Sequence, residues 1–140
     1  MWIIYALLSS IFASLVAILG KMGLKGIDST LATTIRGIIM AIFLVFISLS
    51  LGKFNNLNLH SISKKDWVFI TLSGIAGAIS WIFYFVALKN GPASKVAAID
   101  RTSLVFVVLL AGLFLGEGFG WKIGLGIALM ICGAIFITLK

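Results

Sequence analysis

Residues 1–20, 67–88, 102–116 and 123–139 contain no charged side chain and are mostly apolar. A helix of about 20 apolar residues crosses the roughly 30 Å hydrocarbon core of a bilayer, and no soluble fold needs such runs. Only 11% of the 140 residues are charged and 61% are hydrophobic, against about a quarter and about half in a soluble domain. The chain reads as an all-α integral membrane protein, multi-pass, with the lipid bilayer as its first partner.

The breaks between apolar runs set the element count at five. A first span covers about 2–20. It is not a cleaved leader, because it lacks a basic start and its first charge, Lys21, follows the apolar run. "GIDST" (26–30) offers Asp28 or Ser29 as the N-cap of a second span over 29–51. "GKFNNLNLHSISKKD" (52–66) is a polar loop, in which His60 reads as a solvated residue. Ser63 and Asp66 have capping-box spacing and start a third span over 67–88. Pro92 suits the first position of a fourth span over 92–115. "GEGFG" (116–120) turns the chain into a fifth over 119–139, with Glu117 placed to favour that helix's N-terminus. The five spans form one domain over 1–140.

Five crossings put the termini on opposite faces. Trp2, Trp67 and Trp121 then share one interface, as tryptophan belts do. The other face carries Lys21, Lys25, Lys89, Lys95 and Lys140, against Lys53, Lys64, Lys65 and Lys122 on the tryptophan side. Arg36 and Arg101, nearer the C-terminal face, tilt the balance towards a cytoplasmic C-terminus, while the near equality permits insertion both ways up. The net charge of +7 is scattered over short loops, which fits an anionic leaflet and not nucleic acid.

Charge inside the spans is the functional signal, because each such residue costs roughly 2.5–3.5 kcal/mol at the bilayer centre. Asp100 lies eight residues past Pro92, and Arg36 eight past Asp28, about 12 Å along either helix. Their depths match. Asp100 and Arg101 project about 100° apart and do not pair. Asp100 is therefore expected to face Arg36, or the Lys95 and Arg101 pair of a second subunit, across an interior cavity. A packing ion pair with snorkelling Lys95 and Arg101 is the plainer alternative. In "WIFYF" (81–85), Trp81 lies far from the tryptophan interface and the Tyr84 hydroxyl needs a partner; both fit a cavity lining as well as core packing.

Small residues repeat every four positions at Gly120, Gly124, Ala128 and Cys132, a flat stripe for a dimer or an internal neighbour. Ser73 and Gly77, the offset pair Gly74 and Ala78, and Ala6, Ser10 and Ser14 read likewise as packing surfaces. No metal-ligand cluster, nucleophile–base set or phosphate loop is visible. No cofactor is expected, and a lone His60 and a lone Cys132 make an enzyme site improbable.

"FVALKNGPASKVAAI" (85–99), "LFLGE" (113–117), "GLGIALMICGAIFI" (124–137) and "KMGLKGIDSTLATTIRG" (21–37) together resemble the EamA domain of the drug/metabolite transporter superfamily, with Arg36 in the basic position often found on its second helix. Larger members of that superfamily have ten helices in two inverted five-helix repeats and move small metabolites by alternating access. The resemblance implies that this chain is one half of such a fold. A homodimer, antiparallel in the inverted case, would supply both halves. It also implies a small secondary transporter for a polar or zwitterionic metabolite in the plasma membrane, Arg36 and Arg101 attracting a carboxylate and Asp100 an amine. The alternative is a non-transporting subunit, or a half-transporter that needs a different partner chain. Two departures stand out. The fourth span reads "IDRTS" where many relatives have a proline. The first span lacks the glutamate of the small multidrug-resistance branch, which leaves Asp100 as the deep carboxylate available for proton coupling.

Overall fold

The computed structural model describes residues 1–55 and 62–139; His60 and Lys140 lie outside the described residues. The described residues are helical or irregular, without strands. Helix α1 covers Trp2–Gly23, α2 Ser29–Ser50 and α3 Lys64–Asn90. The fourth span is composite, made of α4 (Ala93–Asp100), α5 (Ser103–Leu110) and a π-helical segment (Ala111–Leu115). Helix α6 covers Trp121–Thr138. Among the described residues, five segments are long and apolar enough to cross a membrane. Large apolar side chains point outwards along all of them, as at Phe12, Phe43, Phe69, Phe106 and Phe136. In water such exposed apolar side chains would be sticky; hydrocarbon is the solvent they fit.

Local chemistry sets the helix ends. Asp28 caps α2, its carboxylate accepting from the N–H groups of Thr30 at 2.9 Å and Leu31 at 3.0 Å. Ser63 accepts from the Asp66 N–H at 3.3 Å, so the helix starts earlier than residue 67. Pro92 occupies the cap of α4 and not its first helical position: its ψ of 134° is extended while its carbonyl accepts from Val96. Gly120 caps α6, and Glu117 lies before that cap, ahead of the helix as expected. The Glu117 N–H bonds back to the Ala111 carbonyl, over Gly116 at a φ of 68°. Several hydroxyls inside the spans bond to their own helix, as Ser10 does to Leu7 and Ser14 to Ile11, each at 2.7 Å. That satisfies a polar group where no water reaches it.

The Asp28 cap carries a pH dependence. The Leu31 N–H, then the Thr30 N–H and the nearby Lys89 charge, hold the carboxyl below its ordinary pKa. A folded pKa that is depressed adds stability above the unfolded value, and that stability is lost as pH falls through the folded one. The wild-type chain is therefore expected to lose stability relative to Asp28→Asn as pH drops below the ordinary carboxylate range. Parallel unfolding curves in detergent check this.

The chain forms two compact units, Met1–Lys21 with Asn90–Lys140, and Met22–Lys89. In the first, α4 packs on α6, and the Lys95 ammonium donates to the carbonyls of Thr138 at 2.8 Å and Leu139 at 3.3 Å. Lys95 thus neutralises the negative end of α6. Gly124, Ala128 and Cys132 are exposed, to one side of the α6 face formed by Ile127, Ile131 and Ala134, while Gly120 is the cap. In the second unit the Lys89 ammonium donates to the Ile27 carbonyl at 3.0 Å. Leu24, Ser29, Phe85 and Leu88 are the buried residues of this unit.

The fourth span is not the single helix expected over 92–115. Thr102 bonds to Ile99, Leu104 to Arg101 and Val105 to Thr102, three-residue closures that tighten the turn. The Thr102 hydroxyl also donates to the Ile99 carbonyl at 2.7 Å and so competes with the regular ladder. The interruption falls on Arg101 and Thr102, directly after Asp100.

Candidate functional site

The second unit contains a cleft of about 410 Å³ between α2 and α3, within the usual range of small-molecule sites. Thr33, Arg36, Gly37 and Met40 form its α2 wall, spaced i, i+3, i+4 and i+7 on one helical face. The α3 wall consists of two i+4 rows: Ser73, Gly77 and Trp81, with Gly74, Ala78 and Ile82 beside them. Residues read from sequence as a close-packing stripe are in fact the floor of an open space. Added Cβ atoms at Gly74 and Gly77 would meet nothing within 4 Å.

Among the described residues, Arg36 is the only charged one that lines this cleft. Its guanidinium carbon lies 3.6 Å from the centroid of the Trp81 ring and 5.4 Å from that of Phe85. Cation–π contacts of this kind contribute from about 0.5 to about 2 kcal/mol, most where water is excluded. Trp81 meets Tyr84 edge to face at 5.7 Å and Phe85 at 5.8 Å, so the ring that holds the arginine is itself held. Phe85 is the buried base of this stack. Stacking engages the flat face of the guanidinium and leaves its edge. Arg36 donates no hydrogen bond and forms no ion pair among the described residues.

The hydroxyls around it divide by role. Thr33 donates to the Ser29 carbonyl at 2.8 Å and Thr34 to that of Thr30 at 2.9 Å, so both present lone pairs only. The Ser73 side chain makes no hydrogen bond among the described residues. No His, Cys, Asp or Glu cluster suited to a metal exists among the described residues.

Of the residues expected to line a pathway, Arg36 and Trp81 come together here. Tyr84 supports Trp81 from behind and is not part of the lining. Asp100 and Arg101 belong to the other unit, exposed at the interruption of the fourth span, and make no side-chain hydrogen bond or ion pair among the described residues. Lys95, expected to face Asp100 from a second subunit, is bonded within its own chain to the end of α6. Thr33, Met40 and Ser73 were missed as site residues, although their spacing to Arg36 and Trp81 was readable.

The apolar spans define a multi-pass membrane protein, with a cleft and one stacked cation between two of them. Residues 1–139 match the model of the EamA-like transporter family, and the chain belongs to that family. It is 37% identical over 137 residues to an "Uncharacterized transporter in cobO 3'region" of Sinorhizobium sp., covering 98% of this chain and 96% of that one. It is 38% identical over 87 residues to an "Uncharacterized transporter" of Helicobacter pylori strain 26695, covering 61% of this chain and 29% of the relative. That relative is therefore about twice as long as this chain. No solved structure matches.

Proposed function

We propose that this protein is a small secondary transporter, not an enzyme, that moves a polar or zwitterionic metabolite across the plasma membrane by alternating access. The observation that carries this reading is the arginine-bearing cleft within a chain of a transporter family. A charged residue at membrane depth persists where it faces water, a partner or a solute, and Arg36 has an unengaged donor edge on a cleft of solute size.

Two copies form the working unit. The Helicobacter relative holds its matching segment within about twice this chain's length, while the Sinorhizobium relative is the same size as this chain. A family that uses both lengths is most simply explained by two copies replacing one long chain. The near balance of lysines across the two faces suits an antiparallel pair. The same length relation is met by a different partner chain, which is the second reading.

Sidedness separates them. A cysteine at position 140, in a Cys132→Ala background, is expected to label as two roughly equal populations in intact and permeabilised cells. A single population, with the C-terminus cytoplasmic, would favour a parallel dimer or a separate partner and remove the antiparallel homodimer.

A further inference from the structure

We infer that the cleft between α2 and α3 binds the carboxylate of a small amphipathic carboxylic acid, with Arg36 as its receptor and Trp81 as the clamp that orients it. This rests on the transporter reading and names the head group its substrate carries. Every donor that the cleft offers points to an anion. The guanidinium edge carries up to five N–H groups in a fixed fork that matches a carboxylate, and stacking on Trp81 at 3.6 Å holds the fork's plane while leaving that edge open. Ser73, two turns along α3 from Trp81, is a separate hydroxyl further along the cleft.

The charge count narrows the class. One cation and no acidic residue line the cleft, so a monoanion neutralises it, whereas a dianionic phosphate would bring a surplus charge into low dielectric. An amine would meet an uncompensated guanidinium. The remaining wall, Gly74, Gly77, Ala78, Met40 and Ile82, is apolar and takes the ligand's hydrocarbon body. A zwitterion's carboxylate end enters the same way, its ammonium facing the lone pairs of Thr33 and Thr34.

The test uses the full chain in lipid nanodiscs with Trp2, Trp67 and Trp121 changed to Phe, which leaves Trp81 as the sole tryptophan reporter. Three probes share one hydrocarbon body: 4-methylpentanoate, its neutral amide and 3-methylbutylamine. The carboxylate is expected to shift Trp81 emission saturably, with the amide and the amine at least tenfold weaker. Arg36→Gln is expected to abolish the shift and Arg36→Lys, which keeps the charge and loses the fork, to weaken it at least fivefold. Equal binding of the amide or the amine, no binding of the carboxylate, or unchanged binding by Arg36→Gln would overturn the assignment. If Arg36→Gln does not fold, the three probes on the Arg36 protein still decide.

Counterflow of labelled 4-methylpentanoate in proteoliposomes separates the two layers. Binding without flux would remove the transporter reading and leave the site. Flux that is indifferent to Arg36→Gln would do the reverse.

Discussion

Gly77→Leu is expected to abolish transport while leaving the fold intact. Gly77 lies midway along the α3 wall, one turn from both Ser73 and Trp81, and a Cβ there enters open space. Replacing Gly by Leu inside a helix also raises intrinsic propensity by up to about 1 kcal/mol. The substitution therefore stabilises or leaves unchanged the helix that carries it, while its side chain occupies the floor of a cleft of about 410 Å³. Transport should fall more than a hundredfold, with melting in detergent within a few degrees of wild type. Gly77→Ala, a single methyl, should retain most activity. Full activity in Gly77→Leu would mean that solute passes elsewhere.

Trp81→Ala is expected to damage both stability and binding, and the two losses have different sources. The indole is half-buried, so its truncation costs less than the roughly 3–5 kcal/mol of a fully buried aromatic. Loss of the cation–π contact and of the aromatic contacts with Tyr84 and Phe85 points to about 2 kcal/mol, read from denaturant titration in mixed micelles. Arg36 then swings freely, and carboxylate affinity should drop about tenfold through lost preorganisation. Trp81→Phe keeps a π face and should recover most of the affinity. Equal affinities in Trp81→Ala and wild type would show that Arg36 needs no clamp.

The five-helix membrane architecture was legible because lipid imposes long uncharged runs, and charges at 21, 25, 53, 64, 89 and 122 punctuate them. The caps at Asp28 and Ser63 were legible for the same local reason: a short polar side chain beside unsatisfied N–H groups. The interruption at Arg101–Thr102 was not: it lies within an otherwise apolar run, and a break in the backbone ladder leaves no trace in hydropathy.

The site was half legible. Arg36 drew notice as a charge at depth and Trp81 as an aromatic away from the interface. Their contact, 45 residues apart in sequence, depends on how α2 and α3 lean together. The row Ser73, Gly77 reads from sequence as a packing surface and lines the cleft, because small residues serve two opposite ends: they let helices touch, and they leave room where helices do not. The α2 face Thr33, Arg36, Gly37, Met40 carried the distinguishing signal, a polar edge within an apolar span. Matched against the row Ser73, Gly77, Trp81, it pairs one cation with open floor.

The account stands on the cleft being a water-reached substrate path and not a lipid-facing groove. The measurement that tests this most directly is the reaction of a Gly74→Cys variant, in a Cys132→Ala background, with a membrane-impermeant thiol reagent. Gly74 lines the cleft and has space for the added side chain. The account predicts reaction at an aqueous rate, slowed at least tenfold by saturating 4-methylpentanoate and not by its amide. A thiol that stays unreactive from both sides, or one that reacts at the same rate with the carboxylate present, would contradict it.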